Sequence, residues 1–385
     1  MASARSLSRK NGSFPAVGAT GLVLCVCALA FPLSSSAGEP SPLFVFHEPG
    51  SPHSDLNAGV EARHLWYEDL SRTPYSECWY YLFFGEDGTI FFCHINLARM
   101  TSLVPAQYSL DFNLILPGGE PAFFGDSYKK GAVEWKTDRL FVKLGPNVLE
   151  GDLDRQTLHI EELGYRIDVA FVRQAPPYRD GCGKIYLDRR RTSYLDITYQ
   201  PSMNVSGYLQ SQGKTSILKG WGYADHVRQT FVPTSFARTL YAFRIRMGDL
   251  FITCLEYFPN PEFHRDRVAT MIVAYRDRIL HVSHDYSLDP TQWYKDPHTG
   301  TEVPASFTLT ERTTGFTLEG TAGGDLLQRV DLLGAVKPFQ RRILQLVGIR
   351  SYSYVFKERV SCKVFCPEAQ GLFSGTGLFE VVVSD

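Results

Sequence analysis

Cys78-Trp79-Tyr80-Tyr81-Leu82-Phe83-Phe84 runs through Gly85-Glu86-Asp87-Gly88 into Thr89-Ile90-Phe91-Phe92-Cys93-His94-Ile95. Aromatic and β-branched residues fill both arms, and two glycines bracket the turn. The stretch therefore reads as a β-hairpin. Its arms are apolar almost throughout instead of alternating, which predicts strands covered on both faces. A hairpin covered on both sides needs a second layer of structure, and the flanking sequence offers it as more strand.

Downstream, strand-like runs recur at Tyr108–Leu116, Gly131–Lys136, Leu140–Leu144, Gln156–Ile160, Tyr165–Val172, Ser193–Tyr199, Met203–Gln210 and Lys214–Leu218. A second series holds Thr239–Met247, Leu250–Phe258, Val268–Tyr275, Ile279–Asp285, Ala305–Thr310, Phe316–Thr321 and Asp325–Leu333. Then the period changes. Phe339, Ile343, Leu344 and Val347 recur at helical spacing, so Lys337 to Gly348 reads as one amphipathic helix, followed by more strand to Val383. Short strands at regular spacing argue for antiparallel barrels, and a helix before a final strand is a lipocalin-type arrangement. The expected fold is all-β: two lipocalin-like antiparallel β-barrels packed together, with one short helix near the C-terminus. The expected domains are 61–235 and 236–385, since single cores stop growing near ~250–300 residues and the chain has 385.

Composition narrows the function. A hydrophobic fraction of 44% with 21% charged residues fits a folded globular chain, and 26 Phe with 20 Tyr suit β-structure around apolar cavities. A net charge of -2 leaves no basic field for nucleic acid. Among the familiar motifs, no Gly-x-Ser-x-Gly elbow, Walker loop, dinucleotide fingerprint or His-Glu-x-x-His occurs. The helix could touch a membrane surface through Arg341 and Arg342, or pack its apolar stripe on its own barrel.

The first residues carry Arg5, Arg9 and Lys10, an uncharged run from Val17 to Phe31, and a Ser34-Ser35-Ser36-Ala37 tail. This reads as a signal peptide over 1–37, cut after Ala37, followed by an extended lead-in over 38–60. The expected location is secreted or periplasmic, with a membrane anchor made by the same segment as the alternative. Six cysteines would remain. Cys78 with Cys93, and Cys362 with Cys366, are the disulfide candidates; small buried thiols are the other reading.

The densest chemistry lies at Lys219-Gly220-Trp221-Gly222-Tyr223-Ala224-Asp225-His226. Its glycines permit bending or close approach, and its aromatics give apolar wall with a polar tip. Asp225 is the candidate general acid, with His226 to orient it or accept a proton. In a regular strand these neighbours face opposite sides, so only a bend brings both to one cavity. The bland alternative is that Asp225 pairs with a basic residue such as Arg228 and His226 closes a hydrogen-bond network. Glu77 is open in the same way, as a rim carboxylate or a salt-bridge partner. His281 and His284, three apart on a strand, cannot readily share one metal ion. Trp79, Tyr81, Trp221, Tyr223, Tyr241 and Tyr257 form the candidate ligand-binding wall.

The Gly220–His226 stretch resembles the Gly-x-Gly-Tyr-x-Asp-His signature of hydroxyneurosporene synthase (carotenoid hydratase)-like proteins. Glu77-Cys78-Trp79-Tyr80-Tyr81 is similar to the opening of their first barrel. Thr299-Gly300-Thr301-Glu302-Val303-Pro304 and the Gly375-Thr376-Gly377-Leu378-Phe379-Glu380 ending are similar to parts of the second. Ala224 and Val227-Arg228-Gln229 depart from the hydratase pattern. The wider group includes fungal Diels–Alderase-like and survival-factor-like proteins. The resemblance implies a double lipocalin-like fold, a hydrophobic lipid, isoprenoid or polyene ligand, and no metal or cofactor. Three functions stay open: an exported binding protein, a cofactor-independent hydratase, cyclase or isomerase using Asp225, or a purely structural envelope protein with filled barrels.

Overall fold

The computed structural model describes residues 60–384, apart from 69–70, 101, 103–104, 120, 181–182, 188–191, 264–266 and 333–349. The expected signal peptide and lead-in, Cys182 and the expected helix at 337–348 lie outside the described residues, the lead-in except for Val60 and the helix entirely.

Two antiparallel sheets account for the fold. The first holds β1 (Tyr75–Gly85), β2 (Ile90–Arg99), β3 (Gln107–Ile115), β4 (Ala122–Ser127), β5 (Val133–Trp135), β6 (Leu140–Leu144), β7 (Asn147–Gly151), β8 (Arg155–Glu162), β9 (Tyr165–Arg173), β10 (Lys184–Tyr186), β11 (Tyr194–Ser211) and β12 (Lys214–Gln229). The second holds β13 (Ala237–Met247), β14 (Leu250–Pro259), β15 (Val268–Tyr275), β16 (Arg278–Ser283), β17 (Ser287–Lys295), β18 (Glu302–Thr313), β19 (Phe316–Asp331), β20 (Ser351–Phe365) and β21 (Gln370–Ser384). In each sheet the first strand pairs with the last: β1 with β12, and β13 with β21. Each meander thus curls back on itself as a lipocalin-like barrel. A short helical turn at Pro233–Phe236 joins the two.

Among the described residues, strand alternation sorts most buried apolar side chains into three large cores. Trp79, Tyr81, Phe83, Phe91 and Phe171 fill the first barrel. Phe243, Ile245, Phe307, Phe356 and Phe379 fill the second. Tyr80, Leu82, Trp221, Tyr223, Phe251 and Ile272 lie between the barrels. The opening hairpin is apolar on both faces because one face lines the first barrel and the other packs on the second.

The sequence reading missed β4, β7, β10 and β17. Three of them are six residues or fewer, and β17 carries Pro290 and a bulged register that break the alternation. The Lys219–His226 stretch is not a bend: it lies in the middle of β12, paired with β1 on one side and β11 on the other. Its glycines serve close approach. A Cβ on Gly220 would stand 2.1 Å from the Phe84 carbonyl oxygen, and one on Gly222 2.6 Å from Phe171 and Val205.

The cysteine pairing is also corrected. Cys78 stands opposite Asn96, whereas Cys93 stands opposite Tyr81, so the two lie three positions apart along the ladder and face opposite sides. Cys362 and Cys366 also remain free thiols. The Cys362 Sγ lies 3.5 Å from the Met247 Sδ, and the Cys366 Sγ 3.3 Å from the Ala369 carbonyl.

Candidate ligand site between the barrels

β12 runs regularly through Tyr223, Asp225 and Val227 on one face and Ala224, His226 and Arg228 on the other. Ala224 lies in the first-barrel core and Tyr223 in the core between the barrels. Asp225 and His226 therefore serve two separate sites. The bulge that could have brought them together lies in the neighbouring strand, between Gln200 and Met203.

Asp225 faces the seam. Its Oδ2 accepts a hydrogen bond from the Tyr223 hydroxyl at 2.7 Å and from Arg244 Nη2, on β13 of the other sheet, at 3.3 Å. The Arg244 guanidinium lies 4.1 Å from the Tyr80 ring centroid and 4.9 Å from that of Tyr223. Its Nη1 is 3.9 Å from Glu380 on β21, whose Oε1 accepts from the Ser353 hydroxyl at 2.9 Å. One buried arginine is thus held by carboxylates of both barrels and by two aromatic faces.

Tyr80, Asp225, Arg244 and Glu380 line a cavity of about 170 Å³ between the sheets. Cys78, Tyr80, His94, Asn96 and Val227 supply the first-barrel wall, and Ala242, Leu255, Tyr257 and Val382 the second. Phe231, Pro233 and Phe236 of the connecting segment complete it. Burial lowers the pKa of His94, so its imidazole is neutral at pH 7. The Asn96 amide nitrogen has no hydrogen-bond partner among the described residues.

His226 faces into the first barrel. Its ring stacks on Trp79 with centroids 4.4 Å apart. Nδ1 lies 2.8 Å from the His64 carbonyl, and Nε2 3.0 Å from Glu77 Oε2. Both ring nitrogens therefore face acceptors, and the His226–Glu77 pair must share a proton. Burial and the charge of Arg228 push the imidazole pKa down, against Glu77. Glu77 also accepts from the Tyr75 hydroxyl and the Glu68 amide, both at 2.7 Å.

This second cluster holds the chain's own entry segment. Arg228 Nη2 donates to the carbonyls of Arg63, His64 and Trp66 at 3.1, 3.0 and 2.8 Å, and Trp79 Nε1 donates to that of Leu65 at 3.0 Å. These donors tie down the carbonyls at the end of the 3₁₀ turn Ala62–Leu65, where only that of Arg63 also accepts a backbone N–H, from Trp66. Leu65 and Tyr67 join the first-barrel core.

Of the sequence candidates, Asp225 and Tyr257 line the cavity. Trp79 and Tyr81 are spent inside the first barrel, Trp221 and Tyr223 in the packing between barrels, and Tyr241 against the second-barrel core. Asp225 pairs with Arg244, not with Arg228. Glu77 is a buried structural partner. His281 lies 3.1 Å from Glu311 and His284 3.4 Å from Asp180, in separate networks. Arg244, His94 and Asn96 were not foreseen as site residues. A charge inside the apolar run Phe243-Arg244-Ile245 was the available signal, and Glu380 stood in the closing motif already noted.

Solved structures share this fold. A putative AttH from Nitrosomonas europaea is 12% identical, with 85% of this chain and 98% of that chain covered and a TM-score of 0.57. Kievitone hydratase from Nectria haematococca is 12% identical over 89% of this chain and 98% of its own, with a TM-score of 0.58. CghA with Sch210972 is 10% identical over 80% and 88%, with a TM-score of 0.58. At such identities the likeness is one of fold. No curated protein shows significant similarity to the sequence. Residues 67–383 match the Svf1 family, nearly the whole of both sheets, and the chain is therefore a member of the Svf1 family.

Proposed function

We propose that the protein binds a hydrophobic ligand, a lipid, isoprenoid or polyene, in the cavity between its barrels. The observation that carries this reading is the lining: a mostly apolar wall with a few convergent polar groups, His94, Asn96, Asp225, Arg244 and Glu380. A cavity of about 170 Å³ encloses about six carbons, given that ~150 Å³ holds one benzene. A longer ligand would therefore place only a head or leading segment inside it.

The alternative is a hydratase, cyclase or isomerase with Asp225 as acid. The geometry favours binding over that chemistry. Asp225 Oδ2 already accepts from Tyr223 and faces Arg244, and His226 points into the other compartment. Native mass spectrometry of protein purified from its own host tests the proposal. A co-purifying apolar molecule is expected, retained in Asp225→Asn. Repeated absence of any such molecule sinks it, and turnover lost in Asp225→Asn moves the protein to the enzyme reading.

A further inference from the structure

The lining of the cavity between the barrels changes along the strands that form it. On β13 it runs through Arg244, Ala242, Leu240 and Arg238, and exposure rises in that order: the first two are buried, Leu240 is half-buried and Arg238 is exposed. The same gradient runs along β12, from buried Asp225 to half-buried Gln229, and along β21, from buried Glu380 to half-buried Ser384. The cavity therefore opens at the level of Arg238, and Arg244 marks its inner end. Between the two levels the wall is apolar, made by Val227, Leu240, Leu255 and Val382.

The backbone sets Arg238 at this mouth. The pairing of β13 with β14 skips from Ala237 to Thr239, so Arg238 is the extra residue of a β-bulge. Bulges re-aim a side chain out of the regular alternation. The two arginines of the lining differ in what they meet. Arg244 is held by Asp225 and Glu380. Arg238 meets no carboxylate among the described residues. Gln229 and Ser384, at the same end, are already engaged: Gln229 Nε2 donates to Ser76 Oγ at 2.9 Å, and the Ser384 and Ser351 hydroxyls lie 2.8 Å apart. Glu380 sits opposite Ala242, four residues and roughly 13 Å further in along β13. That exceeds a Debye length of about 8 Å, so the mouth feels little of its charge.

We propose that the ligand is a single-chain amphiphile with a carboxylate head, as in a fatty acid, its head paired with Arg238 at the mouth and its chain running inward. This rests on the binding reading above and adds a charge and an orientation to it. A guanidinium matches the two oxygens of one carboxylate. A neutral head gains no charge-assisted bond there, and an ammonium head is repelled. The cavity encloses about six carbons, so an eight-carbon acid leaves its carboxylate at the mouth.

Isothermal titration calorimetry at pH 7 with octanoate, octanol and octylamine, on the wild type and on Arg238→Gln, tests the proposal. Octanoate should lose about fivefold in affinity in Arg238→Gln, the upper value for an exposed ion pair, while octanol changes by less than about twofold. Rising salt should weaken octanoate binding in the wild type and not in the variant. Arg238 is exposed, so its replacement leaves the fold intact. An unchanged octanoate affinity in Arg238→Gln, or an equal loss for octanol, overturns the carboxylate head while leaving a hydrophobic site in place. Tighter wild-type binding of octylamine than of octanoate does the same. Sodium acetate bound as strongly as octanoate overturns the amphiphile and leaves an ion site only. Octanoate binding that survives Ala242→Leu, which fills the cavity, puts the chain elsewhere and overturns the orientation. Failure of all three octyl probes to bind overturns this inference and the binding reading together.

Discussion

Arg244 on β13 and Asp225 on β12 meet across the seam at 3.3 Å, each at least nine-tenths buried, and each supplied by a different sheet. A buried ion pair of this kind is costly to break from one side, because the surviving charge stays desolvated. Arg244→Ala is expected to destabilise the protein by about 3 kcal/mol, measured by urea unfolding. Arg244→Lys should recover only part of the loss, since an ammonium cannot stack on Tyr80 and Tyr223 as a guanidinium does. Equal stability of the alanine variant would show that the pair does not hold the seam.

Filling the cavity should separate binding from folding. Ala242 lines it and is 2% exposed. Ala242→Leu is expected to cut uptake of a hydrophobic probe by at least tenfold while changing stability by less than about 3 kcal/mol. Unchanged uptake, read by fluorescence titration, would place the probe elsewhere.

The entry segment should come loose when its anchors are removed. Arg228→Gln takes away donors to three consecutive-turn carbonyls. Hydrogen exchange over residues 61–68 is expected to rise at least tenfold, with β13–β21 unaffected. A uniform rise in both barrels would mean global destabilisation instead.

Alkaline pH should weaken the second barrel. Glu358 is fully buried, neither carboxyl oxygen has a hydrogen-bond partner among the described residues, and burial, with Asp325 nearby, pushes its pKa up to about 8. Burial likewise raises Glu256 to about 7, against the pull of Arg267. A carboxyl whose folded pKa exceeds its unfolded value binds its proton more tightly in the native state. Stability is therefore lost as pH rises from the ordinary glutamate range through about 8. Glu358→Gln should flatten that slope and add on the order of 2–4 kcal/mol at pH 8.5, read from chemical denaturation at several pH values. An unchanged slope would place the titration elsewhere.

Thiol labelling checks the cysteines. Denaturation without reductant should leave Cys78, Cys93, Cys254, Cys362 and Cys366 all open to alkylation. A protected Cys78–Cys93 peptide would contradict the hairpin register.

Much of this architecture was legible from residue order. The double-sided apolar hairpin implied cover on both faces, and the two strand series gave two barrels, because period-two patterning reports sheet faces directly. Asn147–Gly151 escaped, since its alternation stops at Leu149 and the exposed Glu150 and Gly151 follow, whereas Leu140–Leu144 alternates to its end. The site was legible only in part. Asp225 could be singled out, but its partner Arg244 lies nineteen positions away on another sheet, and no local pattern reports that pairing. The Asp225-His226 dyad dissolved for a simple reason: without a bulge, neighbours in a strand cannot share a side.

Phe84, Trp221 and Phe251 stack in sequence, with centroids 5.0 and 5.3 Å apart, the first two from one sheet and the third from the other. Pulling the sheets apart would wet this column and uncover Arg244 with it. Neither barrel can thus melt while its neighbour stays intact without exposing a large apolar face to water. Heat denaturation should therefore show one cooperative step, with calorimetric and van't Hoff enthalpies in agreement, despite a chain built from two separately wound sheets.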